Sequence, residues 1–397
     1  MTTLLADGTD LLIVDADTHR SEPWDLWTSR APAAYKDRVP QVKELDGSYH
    51  WVFDGVDIGP ARASSVVGQD MVKHLGKDWL FGHNVYEVAE ASSQVKPRLA
   101  LMDEQGIWAH LVYPNAVGFG GQQLGQIGDL KLRNLAATLY NDACAEFQAD
   151  SGNRLFPMAV VPWWDLDLAL KEITRIKELG LVGLNMMTDP QEYGMDDLSQ
   201  PYWIPLFKAI EESGLPMNFH IGASATQRNY FGSAPWPSFD DDRKLAIGSA
   251  VLYLGNARVL GNFIYGGILE RHPALKLVSV ESGVGWLPFY LQALDYQLHE
   301  MAPNTRKELS LLPSEYFRRQ CAACFWFENE LLIPAIEYLG EDNCLFETDF
   351  PHPTCLYPNP IERALKVFDT QSDEMKKKVF GTNAVRIYNL PAPAARN

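Results

Sequence analysis

Short apolar runs separated by helix-patterned stretches recur along most of the chain, and this alternation limits the fold more than any other feature. The runs are LLIVDADTH (11–19), IWAHLVYP (107–114), LFPMAVVPW (155–163), LVGLNMM (181–187), PMNFHIG (216–222), LKLVSVES (275–282), CFWFE (324–328) and NCLFETD (343–349). Several are continuously apolar, as strands covered on both faces must be. Helical spacing fills the gaps, as in 129–150 and in DLDLALKEITRIKELG (165–180), which Gly180 closes. Eight such units predict an α/β chain folded as a (β/α)8 TIM barrel, one domain over 1–397. Two stretches break the repeat. Residues 20–105, rich in Trp, Tyr and Pro, are expected to form a cap-like insertion after the first strand, and 223–240 an aromatic-rich loop insertion after the fifth. Both are expected over the C-terminal face, where barrel sites lie.

Composition removes several function classes. The net charge of −17 argues against a nucleic-acid partner, because phosphate binding needs a basic face. No apolar run reaches the roughly 18 residues of a membrane span, and MTTLLADGTD lacks the basic and apolar parts of a secretory leader. Five cysteines, an odd and sparse set, read as reduced thiols, so a cytoplasmic location is expected. Cys321-x-x-Cys324 has no second pair to complete a zinc knuckle and lies in an apolar run, so ordinary buried thiols are expected there.

Chemistry-bearing residues collect where the apolar runs end. Asp15, Asp17 and His19 alternate along the first strand, so all three are expected to point into the barrel. Asp17-x-His19 can grip one ion, or the group can be a buried polar cluster satisfied by backbone. His220 closes PMNFH, and Asp349 follows LFET at the last strand end. Both are expected metal ligands; the alternatives are a satisfied core histidine and a loop ion pair. Asp349 could also transfer protons. Glu281 could ligate, act as a base or hold His220 from behind. His352 could touch substrate or serve the turn, and His272 fits a turn before a strand. The fourth run, LVGLNMM, offers no lysine for a carboxylated bridge, so one metal ion is expected. Nitrogen and oxygen donors suit Zn2+ first, with Mn2+ or Fe2+ as alternatives. Trp163, Trp164, Trp286, Tyr230, Phe231 and Trp236 lie near the expected mouth and suggest an apolar wall for a small, cyclic substrate.

The order of these motifs resembles the amidohydrolase superfamily, in the branch that contains aminocarboxymuconate-semialdehyde decarboxylase and resorcylate-type decarboxylases together with lactone hydrolases and hydratases. RLALMDEQGIWAHLVYP, RLFPMAVVP, ERHPALKLV, ETDFPHP and FGTNAVRIYNL carry the resemblance, which covers nearly all the chain after Leu11. It implies one divalent ion held by Asp17, His19, His220 and Asp349, and a homodimer. One departure stands out: the decarboxylases commonly show His in the strand-six motif, where this chain has Glu281 in VESGVGW.

Three negative charges, from Asp17, Glu281 and Asp349, around one dication are less welcoming to an anionic substrate. The first expectation is therefore metal-dependent hydrolysis of a neutral ester, lactone, amide or C–C bond, with Asp349 moving the proton, Glu281 orienting water and His220 at the ion. The alternative is non-oxidative decarboxylation of a small aromatic or unsaturated acid, with Asp349 protonating the ring carbon and Arg20 or Arg228 meeting the acid. A barrel that binds ligand without catalysis ranks last, because no expected ligand is missing.

Overall fold

The structure, a computed structural model, describes residues 5, 8–222, 224 and 236–391. Twelve strands are present among them. Nine build the barrel: β1 (Val14–His19), β5 (Ala109–Tyr113), β6 (Leu155–Pro157), β7 (Ala159–Val160), β8 (Leu184–Asn185), β9 (Met217–His220), β10 (Leu277–Val280), β11 (Cys321–Phe325) and β12 (Cys344–Phe346). β6 and β7 are one run interrupted at Met158, so the barrel has the eight expected staves. The pairs run β1-β5-β6 and then β7-β8-β9-β10-β11-β12, all parallel. A parallel bridge between Thr18 and Phe350 closes the ring. The seventh stave begins at Cys321, before the expected CFWFE, because the whole of CAACF is buried.

Valines, alanines and aromatics from the staves fill the barrel: Val14, Ala16, Leu111, Tyr113, Phe156, Met158, Val278, Val280, Cys324 and Leu345 form one buried cluster with Ile387 and Tyr388 of the C-terminal helix Asn383–Tyr388. Tyr388 donates to Asn218 Oδ1 at 2.6 Å and so plugs the end opposite the site. The surrounding helices begin as their sequences direct. Asp129 caps Leu130–Asp150 by accepting from the backbone of Lys131 and Leu132, and Asp165 caps Leu166–Glu178 through Leu168. Gly180 takes φ 75° just past the latter helix, the left-handed turn expected of it.

Within 20–105 lies an antiparallel sheet, β2 (Gln41–Leu45), β3 (Ser48–Phe53) and β4 (Val56–Pro60). Two Asp-Gly turns join it, Asp46-Gly47 at φ 48° and 80° and Asp54-Gly55 at φ 50° and 80°. Positive φ at both central residues matches the right-handed twist of the flanking strands. The helix Val95–Gln105 returns the chain to β5. Of the 223–240 insertion, 223 and 225–235 lie outside the described residues, and with them Arg228, Tyr230 and Phe231. All five cysteines are buried and unpaired with one another. No helix among the described residues is long and apolar enough to cross a membrane.

Candidate metal centre

The donors meet at the C-terminal ends of β1, β9, β10 and β12. Asp17, His19 and Asp349 are fully buried, His220 is 3 % exposed and Glu281 8 %. His19 Nε2 lies 3.4 Å from Asp17 Oδ1 and 3.5 Å from Asp349 Oδ1. His220 Nε2 lies 3.3 Å from Asp17, and its Nδ1 3.3 Å from Glu281 Oε2. Asp17, His19, His220 and Glu281 each offer a ligand atom within 4.8 Å of the others, and so do His19, Glu281, Asp349 and His352.

The backbone is bent to make this gathering. Ile221, Glu281 and Asp349, each at or just past a strand end, hold φ of 46°, 47° and 60°. A β-branched or charged residue in the left-handed region costs about 1–3 kcal/mol, which neighbouring structure must offset. Here that structure is the barrel closure: His19 N–H donates to Phe350 O at 2.7 Å and Asp349 N–H to Asp17 O at 2.9 Å.

Burial sets the charges. It pushes the carboxyls of Asp17, Glu281 and Glu347 well above their ordinary range, and their mutual repulsion together with Asp349 adds to the rise. It holds the imidazoles of His19 and His220 well below theirs, with neighbouring imidazoles, His352 first among them, acting in the same direction. Neutral imidazoles keep lone pairs for a cation, and crowded carboxylates need one. Asp17 Oδ2, both ring nitrogens of His19, His220 Nδ1, Glu281 Oε2 and Asp349 Oδ1 are buried without a hydrogen-bond partner. Each such atom costs about 1–3 kcal/mol. The residues therefore fit a single divalent cation, which would meet several of these atoms at once.

Asp15 does not join them, contrary to the alternation. The β1–β5 register slips between Asp15 and Thr18, so Asp15 sits beside His110 while His19 sits beside Tyr113. Asp15 accepts from the Thr348 N–H at 2.8 Å and hydroxyl at 2.5 Å, and burial pushes its carboxyl up to about 7. It ties β1 to β12 and leaves the donor work to Asp17 and His19.

His352 belongs to the site. Its ring stacks on His19 at 3.5 Å and 15°, and its Nδ1 lies 3.1 Å from Asp349 Oδ1. Its Nε2 lies 2.9 Å from Asn115 Oδ1. Asn115 donates its amide N–H to Arg20 O at 3.0 Å, which turns its oxygen to His352. Nε2 then carries the proton, and the lone pair of Nδ1 faces Asp349. Thr354 donates to the other Asp349 oxygen at 2.7 Å.

Other expected contacts lie elsewhere. Arg20 turns from the mouth: its guanidinium carbon stands 4.0 Å over the Phe147 ring and its Nε donates to Ser93 O at 3.3 Å. Trp163 is fully buried and donates to Gly120 O at 2.9 Å, so it anchors a loop. Trp164 donates to Asn134 Oδ1. Trp286 lies on the loop after Glu281, partly buried, and donates to Ser282 O at 2.9 Å. Trp236 is 45 % exposed beside Phe239. His272 meets Glu211 at 3.1 Å in the turn before β10.

Among the residues that escaped the sequence reading are Glu347, Arg98, Glu22 and Glu328. Glu347, two before Asp349 and fully buried, accepts from the Glu281 backbone at 3.3 Å. Its Glu-x-Asp spacing mirrors Asp17-x-His19 and could have marked it. Arg98, buried in the helix Val95–Gln105, donates to His19 O, to Thr18 Oγ1 at 3.2 Å and to Ala91 O at 2.7 Å. Burial lowers its pKa to about 9. Glu22 clasps the backbone of Asn115 and Ala116 at 2.7 and 3.1 Å. Glu328 accepts from Val284 N and Gly285 N at 2.6 and 2.8 Å and holds the Glu281 loop. Nothing in the sequence near the last three announces these long-range contacts.

Known proteins match this arrangement over most of its length. A gamma-resorcylate decarboxylase from Polaromonas sp. is 28% identical over 311 residues, 74% of this chain and 86% of that protein. Among solved structures, an amidohydrolase from Mycobacterium avium subsp. paratuberculosis superposes with a TM-score of 0.75 at 19% identity, covering 97% of this chain and 99% of that one. A dihydroxybenzoic acid decarboxylase from Polaromonas sp., whose structure holds manganese and the inhibitor 2-nitroresorcinol, gives 0.62 at 20% identity, covering 96% and 97%. At these identities the two structures bear on fold, and both support the barrel. The amidohydrolase family model spans residues 14–390. With that match and the donor-lined barrel mouth together, the chain belongs to the amidohydrolase family.

Proposed function

We propose that this chain is a divalent-metal-dependent carboxy-lyase, which removes CO2 without oxidation from a small aromatic acid. One observation carries the choice: the gamma-resorcylate decarboxylase is alike over 74% of this chain. That reverses the order of the sequence expectations, which put hydrolysis first.

Asp17, His19, His220 and Asp349 would hold the ion, a set supported by their orphaned buried atoms. A divalent cation there supplies Lewis acidity toward a carboxylate and an adjacent hydroxyl. Manganese, already expected as an alternative to zinc, is the ion in the Polaromonas structure, and nitrogen and oxygen donors suit it.

The remaining work falls to side chains. Thr354 holds Asp349 Oδ2 by a hydrogen bond and Oδ1 lies beside His19 and His352, so the carboxyl is fixed at the mouth where it would pass one proton to the substrate. Asp349 delivers that proton to the ring carbon bearing the carboxylate. The bond to the carboxylate then breaks, its electron pair returns to the ring, and CO2 departs. One proton is consumed, and the product ring keeps it. His352, fixed by Asn115, orients the Asp349 carboxyl. Glu281 and Glu347 hold the His220 side of the mouth.

Hydrolysis stays as a second reading because of one observation. Asp17, Glu281, Glu347 and Asp349 crowd the mouth, while Arg20 and Arg98 face other partners. Turnover of 2,6-dihydroxybenzoate in D2O separates the two. The carboxy-lyase reading expects CO2 and one ring deuterium per product. Hydrolysis of neutral lactones or esters with no CO2 from aromatic acids would replace it.

A further inference from the structure

The loop after β5 runs Gly118-Phe119-Gly120-Gly121, and only one of these four residues has a side chain. The three glycines are demanded by the backbone. Gly118 and Gly121 hold φ of 76° and 73°. A Cβ on Gly120 would stand 2.9 Å from Met186 O and 2.9 Å from Met187 Cα, and one on Gly121 would stand 2.6 Å from Val160 Cγ1. Real Cβ atoms do not come so close to backbone, so the loop is pressed into the barrel rim and only glycine fits. Trp163 pins it through its indole N–H on Gly120 O.

The one side chain this loop presents lands on the metal centre. The Phe119 ring centroid lies 4.0 Å from that of His220, 5.4 Å from His19 and 6.3 Å from His352. Phe119 donates and accepts nothing, so it has no part in holding an ion. It is nonetheless partly exposed, whereas Asp17, His19 and Asp349 beneath it have no exposure. The ring therefore stands beside the donors with part of its own surface open.

We propose that Phe119 is a specificity-determining residue: its ring, held rigidly by the glycine loop, is the face against which the substrate ring stacks. The proposal rests on the aromatic-acid reading above and deepens it. A rigid aromatic wall favours a flat, unsaturated ring and gives little to a saturated or branched acid, because offset stacking needs two planar faces. Pre-organisation matters here, since a wall fixed by backbone sterics loses no conformational entropy on binding.

The test uses the manganese-loaded full chain and 2-nitroresorcinol, a flat probe with no carboxylate to lose, in a calorimetric titration. Phe119→Leu keeps apolar bulk and removes the ring, Phe119→Ala removes both, and Phe119→Tyr restores a ring. Metal content, measured in parallel, should be the same in all four proteins. Leu and Ala variants should bind the probe roughly threefold to tenfold more weakly, and the Tyr variant within about twofold of wild type. If wild type binds and Phe119→Leu binds equally well, the stacking role is overturned while the aromatic-acid reading stands. If metal-loaded wild type does not bind the probe at all, both are overturned. A loss of metal in Phe119→Leu would show a structural role and also overturn the proposal.

Discussion

The ends of β1, β9, β10 and β12 and the loops that follow β5 and β12 line the same mouth with opposite economies of hydrogen bonding. Strand-end donors such as His19 and Asp349 are wholly buried and leave atoms without partners. Asn115, on the loop after β5, has its backbone N–H, its amide N–H and its oxygen all engaged, by Glu22, Arg20 and His352. The difference teaches which residues to read as chemistry. Several unsatisfied buried groups gathered at one point call for something else to meet them, whereas satisfied ones serve position.

Substitutions break this contrast in order of expected effect. Asp349→Asn removes the proposed proton carrier with little change of shape, so kcat should fall by about 10²–10⁴ with the thermal midpoint nearly unchanged. Wild-type turnover in that variant would remove Asp349 from proton transfer. His220→Ala deletes a donor, and metal bound per chain, read by elemental analysis, should drop well below wild type; full occupancy would place the ion elsewhere. Arg98→Met tests support from behind. Its three charged hydrogen bonds to the end of β1 and to Ala91 disappear, and stability in urea should fall by roughly 3 kcal/mol.

The lower end of the series sharpens the loop side. Asn115→Ala frees His352 to turn, so kcat should fall by about tenfold with metal content intact. Parallel losses of metal would mean that the loop holds ligands rather than orientation. Arg20→Met should leave KM within about twofold, because its guanidinium lies over Phe147. A large rise in KM would return it to the substrate side.

Much of the barrel was legible because burial on both faces writes strands as apolar runs, and a strand must carry its side chains at period two. Asp17, His19, His220, Glu281 and Asp349 were found that way, and the structure brings them together. The same rule misplaced Asp15, since one slip of register between Asp15 and Thr18 changes its neighbours and nothing local signals the slip. The β2–β4 sheet was written in two Asp-Gly pairs, a strong hairpin signal that the aromatic richness of 20–105 obscured. Arg20 and Arg98 show the limit. Proximity in sequence favoured the first, yet the second reaches His19 O from a separate helix, a contact that only the closed fold creates. Phe119 was hidden for a related reason: the glycines around it look like a flexible loop until their close approaches to Met186 and Val160 are seen.

The central claim is that four residues from three strand ends hold one divalent metal ion, and elemental analysis by plasma mass spectrometry tests it most directly. The chain purified without added metal, and again after reconstitution with manganese or zinc, should carry about one ion, retained in Phe119→Leu and lost in His220→Ala. No stoichiometric metal under either condition would contradict the account.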